Sequence, residues 1–204
     1  MVRSAGVPSP IAHGFIVLAM AQGVVRQHAA RPRRVFWVFA LLIAVNAADL
    51  DFLPGILIGD PERFHHGPTH SLFAAAIFGL IAAGVAPMLG VAAYRFGALM
   101  TVAYLSHLAL DAWSIDTSPT QGMTILWPFS SAPLQLPVSV FLDIQRDDSH
   151  RTFFVSLLVW HNAKAIVREV IIMGVLWAVY RLAMSITYLS AARDDAAGGR
   201  AGGE

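Results

Sequence analysis

Residues 71–93 read SLFAAAIFGLIAAGVAPMLGVAA. These 23 residues carry no formal charge, and a helix needs about 20 mostly apolar residues to cross the hydrocarbon of a bilayer. The stretch therefore predicts a membrane-spanning helix, with Pro87 expected to kink it, which packed transmembrane helices tolerate. Composition points the same way. The chain is 56% hydrophobic and 13% charged, with mean hydropathy +0.61, against about 25% charged for an ordinary soluble domain. The net charge of +1 is uninformative about nucleic acid, and without a basic stripe no nucleic-acid partner is expected. With no cysteine, disulfides and thiolate metal sites are excluded. A metal would have to be held by His, Asp or Glu.

Outward from this stretch, Phe96–Trp113 predicts a second span, apolar until His107 and Asp111 intrude. Lys164–Leu189 predicts a third, interrupted by Arg168, Glu169 and Arg181. Ile11–Val25 and Val35–Ala48, at 15 and 14 residues, read as a helical pair that nearly crosses the membrane. The expectation is an all-α integral membrane bundle of about five hydrophobic helices. It forms one domain over residues 1–190, followed by a disordered polar tail at 191–204. A signal peptide competes for the N-terminus, because AMA at 19–21 resembles a cleavage site. Ser9-Pro10 fits better as an N-cap with proline in the first turn of a retained helix. The loop RQHAARPRR at 26–34 carries four arginines and favours the cytoplasm, which puts the N-terminus outside and the C-terminus inside.

Alternation of the helices has a consequence. His13 opens helix one, Asp49 and Asp51 close helix two, and His65, His66 and His70 precede helix three. His107 and Asp111 end helix four, and Glu169 lies near the start of helix five. All these ends fall on the face opposite the arginine loop, so groups scattered along the chain are expected to meet. His107 and Asp111, four apart, share a helix face. They suit two ligands of one metal, or a neutral His bonded to an Asp. Asp49 and Asp51 read as metal-binding acids, or as helix termination ahead of Pro54-Gly55. Glu169 either pairs with Arg168, Lys164 or another helix, or reaches a metal. His28 reads as solvated surface; His150 and His161 read as headgroup contacts in preference to metal ligands.

Five stretches together carry a resemblance: AHG at 12–14, ADLDFLP at 48–54, HHGPTHS at 65–71, SHLALDAWS at 106–114 and GMTILWPF at 122–129. In this order they resemble the YdjM-like family, inner-membrane-associated, LexA-linked and described as metal-dependent hydrolases. Ala48 stands where that family has proline, and His66 where it has arginine. The resemblance implies a bacterial inner-membrane location and a metal-dependent hydrolase activity. A more distant likeness is to the zinc-dependent phospholipase C and P1 nuclease group. It implies Asp51, His65, His107 and Asp111 as one metal site, with His13 and a bridging Asp111 in part of a second.

His and carboxylate donors suit zinc, and also manganese or iron, so one or two divalent ions are expected. The expected chemistry is hydrolysis of a phosphoester at the membrane surface, free or lipid-linked, by metal-activated water. Asp49 is then a ligand or general base. His70 is a ligand or an acid/base group, and His66 a substrate contact or an additional metal ligand. Thr69 and Ser71 read as caps of helix three. Two other classes compete: a metal or proton transporter, and a non-catalytic membrane protein with a structural metal site.

Overall fold

The computed structural model describes residues 2–5, 10–25, 31–60, 63–114, 122–147 and 152–201. Helix α1 is Pro10–Val25 and α2 is Arg31–Val45. A 3-10 turn at Ala48–Asp51 leads into α3, Phe52–Ile58. Helix α4 is Leu72–Val85, continued by a 3-10 turn at Ala86–Leu89, and α5 is Ala93–Ala112. A short α6, Phe153–Ser156, precedes α7, Trp160–Ala201. The only departure from helix with regular pairing, among the described residues, is a two-stranded antiparallel ribbon of β1, Val2–Ala5, and β2, Ile144–Asp147. The fold is thus mostly helical rather than all-α.

Among the described residues, two helices are long and apolar enough to cross a membrane, Leu72–Leu89 and Trp160–Thr187. A third crossing exists if the bent pair Arg33–Val45 and Ala48–Ile58 acts as one. That is fewer than the five expected. Helix α1, with 16 residues, rises only about 24 Å, short of the roughly 30 Å hydrocarbon layer. Helix α5 has 20 residues, but Arg95, His107 and Asp111 break its apolar run. The span at 72 ends at Leu89, not Ala93, because Pro87 tightens the helix into a 3-10 turn and Gly90 closes it in the left-handed region at φ 65°. Helix α7 starts at Trp160, earlier than expected, and continues past Leu189 into the polar tail.

Helix α2 does not stop at Ala48. The chain bends by 56° between Val45 and Ala48 and goes on. Pro54 is accommodated because it lies in the first turn of α3, where its missing N–H is not needed. The bend places Asp49 and Asp51 in a 3-10 turn. Residues two apart there point about 120° apart, against about 160° in an α-helix.

The interior has two halves. One is apolar: Val17 and Ala21 of α1, Trp37, Leu41 and Val45 of α2, and Phe96 and Met100 of α5 are buried together. Trp37 meets Phe96 edge-on at 5.6 Å between ring centroids. The other half is polar and lies at the opposite ends of the same helices. Helices α4 and α5 meet through glycines. A Cβ on Gly97 would come within 2.8 Å of both the Ala83 Cβ and the Gly79 carbonyl oxygen. A Cβ on Gly79 would collide with Thr101 Oγ1. Small residues at such a contact let two membrane helices approach to backbone distance.

Candidate metal centre

Ser71 starts α4. Its backbone is extended, and its hydroxyl accepts the Ala74 N–H at 3.0 Å, a cap that contributes about 1 kcal/mol. Just before it, HHGPTH folds as consecutive turns. The left-handed residue is His66, at φ 60°, not the glycine beside it. Gly67 has a separate reason: a Cβ there would lie 2.8 Å from the Phe64 carbonyl oxygen. The GMTILWPF loop clamps this segment. Thr124 N–H donates to the His66 carbonyl at 3.1 Å, and Leu72 N–H to the Ile125 carbonyl at 3.0 Å.

The expected convergence is present. His13, Asp51, His65, His66, His70, His107 and Asp111 are all buried. His70 is the hub. Its Nε2 lies 3.4 Å from His107 Nε2, 3.5 Å from Asp111 Oδ2 and 3.7 Å from Asp49 Oδ1. His107 Nε2 in turn lies 3.0 Å from Asp111 Oδ2 and 3.5 Å from Asp49 Oδ1. Four side chains from three parts of the chain thus aim donor atoms at one small region. Zinc bound tetrahedrally at about 2.0–2.1 Å has ligand atoms about 3.3 Å apart, and these separations bracket that value.

Asp51 lies on the other side of His70. Its Oδ2 is 3.1 Å from His70 Nδ1 and accepts the Thr69 hydroxyl at 2.8 Å, while its Oδ1 is 3.2 Å from His65 Nδ1. A carboxylate that takes one ring N–H of a histidine turns the other nitrogen's lone pair toward a metal. Asp51 is placed to do this for His70. Thr69, expected as a helix cap, belongs to this arrangement instead. Tyr104, one helical turn before His107, donates its hydroxyl to the Thr69 carbonyl at 2.6 Å. Sequence reasoning missed it, although the three-residue spacing placed it on the His107 face. His13 stacks on His107 at 4.2 Å between centroids, and its Nε2 is 3.6 Å from Asp111 Oδ1.

Four sets of donors can each hold an ion: His13, His107 and Asp111; Asp49, His70 and His107; Asp49, Asp51 and His65; and His65, His66 and His70. Asp51, His65, His107 and Asp111 do not fall into one set. The two pairs are divided between sets that Asp49 and His70 connect. His66, read as a substrate contact, is instead buried and stacked on His65 at 4.1 Å. Glu169 is fully buried on α7 but joins none of these sets. His161 is held by Asp143 at 3.1 Å, outside the cluster. His28 and His150 lie outside the described residues.

The donor set passes a physical test of fit. His13 Nδ1 and Nε2, His107 Nδ1, Asp49 Oδ1 and both Asp111 carboxylate oxygens are buried without an aligned hydrogen bond. Burying such atoms unsatisfied costs about 1–3 kcal/mol each, more for charged groups. A cation among them would remove that cost for His13 Nε2, Asp49 Oδ1 and the Asp111 oxygens, though not for the Nδ1 atoms on the far edges of the two rings. For His70, burial disfavours the charged ring, but Asp111, Asp49 and Asp51 outweigh it and hold its pKa well above the ordinary histidine value. The negative field that retains a proton there also attracts a metal, which competes for the same lone pair.

The chain matches the family described as YdjM inner membrane protein over residues 9–188. It belongs to that family. The YdjM match covers every donor of the cluster and places the protein in the inner membrane, consistent with its apolar spans. No curated protein and no solved structure matches the chain. The more distant likeness to zinc phospholipase C and P1 nuclease thus has no support from these comparisons.

Proposed function

We propose that this YdjM-family protein is a membrane-embedded metal-dependent hydrolase that cleaves a phosphoester, one carried on a lipid included. The observation that carries the reading is the buried His/Asp cluster with one of its donors, Asp49, partly exposed. Asp49 keeps its Oδ1 inward, yet its side chain retains 27% exposure. A purely structural site has no need of such exposure.

In this reading His107, Asp111, His70 and Asp49 hold one divalent ion, most simply zinc. His13 completes a second position on Asp111, and His65 one on Asp49. A divalent ion in such a site supplies Lewis acidity and makes a water more acidic near neutral pH. The chain's own residues do the rest. Asp51 and Thr69 orient His70, and Tyr104 fixes the Thr69 backbone. The apolar walls exclude other water and strengthen each charge interaction inside. The arginine-rich loop at 26–34 favours the cytoplasm, so the site faces the non-cytoplasmic side.

The test uses protein purified in detergent. Bound metal is measured by mass spectrometry, and hydrolysis of phosphomonoesters, phosphodiesters and lipid phosphates is followed with and without a chelator. Stoichiometric metal and chelator-sensitive turnover are expected. Absence of metal, or full retention in His107→Ala/Asp111→Ala, overturns the site. Metal with no turnover on any phosphoester leaves a structural centre and overturns the enzyme.

A further inference from the structure

Helix α7 carries a surface that the metal cluster does not use. Its span, Trp160–Thr187, has 28 residues, about 42 Å at 1.5 Å per residue. That exceeds the roughly 30 Å hydrocarbon layer and matches the 40–45 Å that includes the headgroups. The first turns of α7 therefore sit at headgroup level. There Lys164 and Arg168, four apart and both exposed, share one face. Trp160 adjoins them, with Lys164 Nζ 5.9 Å from its ring centroid. Neither cation has a carboxylate partner among the described residues.

The same face continues as a surface hollow of about 490 Å³, which runs along α7 alone and is lined by residues that include Trp160, Lys164, Val167, Arg168, Ile171 and Ile172. A second, of about 400 Å³, lies between α1, α5 and α7 and is lined by apolar groups that include Ile16, Leu110, Trp113, Phe141 and Leu176. Ile172 lines both. The two hollows thus adjoin at Ile172, the first carrying the two cations and the second lined by apolar groups.

We propose that this surface binds one anionic phospholipid, with the phosphate on Lys164 and Arg168 and an acyl chain along Ile172 into the apolar hollow between α1, α5 and α7. Charge selects the headgroup: two cations with no carboxylate partner among the described residues favour a lipid with net negative charge over a zwitterionic one carrying the same phosphate. The apolar hollow selects a chain, which free phosphate lacks. The site is independent of the metal chemistry.

The test is native mass spectrometry of the full chain, purified in mild detergent and washed free of endogenous lipid. The probes are phosphatidylglycerol, phosphatidylcholine, diacylglycerol and inorganic phosphate, each supplied alone. A one-to-one phosphatidylglycerol adduct is expected, at least tenfold stronger than with any other probe. Lys164→Gln/Arg168→Gln should lower it at least tenfold, and Ile172→Trp, which fills the junction, should lower it as well. Both cations are exposed, so the double variant should elute from gel filtration as wild type; Lys164→Gln alone provides a milder version. Equal binding of diacylglycerol, phosphate competing as well as the lipid, or undiminished binding in the double variant would each overturn the site.

Discussion

The two ends of this bundle are built from the same helices by opposite chemistry. Helix α1 buries Val17 and Ala21 at one end and His13 at the other; α5 buries Phe96 and Met100 at one end and His107 and Asp111 at the other. The apolar end is satisfied by contact alone, so any well-shaped hydrophobe serves. The polar end holds atoms that contact cannot satisfy, and its side chains are useful only together. The apolar end tolerates exchange of parts and sets the spacing. The polar end tolerates little and depends on that spacing.

This contrast can be broken from either side. The largest effect is expected from His70→Ala. It removes the hub and leaves Asp49, Asp51 and Asp111 facing one another, a loss of about 3–5 kcal/mol for broken buried pairs. Chemical denaturation in detergent checks the stability, and metal content should fall with it. Leu41→Ala is the matched change at the apolar end. It should cost about 2–5 kcal/mol as a cavity while the bound metal stays at the wild-type level. Equal loss of metal in both variants would show that the ends are not separable. Gly97→Ala should cost about 1–3 kcal/mol as overpacking and also lower metal affinity, because it pushes α5 away from α4. The smallest effect belongs to Tyr104→Phe, about 0.5–1.5 kcal/mol for one hydrogen bond, with metal retained but held less tightly in competition with a chelator.

Much of the polar end was legible before any coordinates. The groups are too costly in an apolar chain to be incidental, and alternation of the helices put them on one face. His107 and Asp111 needed only helical spacing. The order of importance was not legible. Spacing from Asp51 favoured His65, whereas His70 connects all three carboxylates, a fact of three-dimensional position. The bend at Val45–Ala48 was hidden because Pro54-Gly55 resembles a helix stop, and only the start of α3 two residues earlier makes the proline harmless. The β1–β2 ribbon was invisible for another reason. VRSA and IQRD are four residues each, too short to show strand alternation. Counting spans failed where length and apolarity diverge, as in α5, which is long enough but carries the site's own polar residues.

The glycine contact between α4 and α5 also bears on attempts to move this site elsewhere. His70 stands at the foot of α4 and His107 near the far end of α5, so the distance between them is inherited from the place where the two helix backbones touch. A designer who grafted only the histidines and aspartates onto another pair of helices would copy the ligands without the ruler. Gly79 and Gly97 belong to the minimal transplant as much as His70 does, although neither comes near a donor atom.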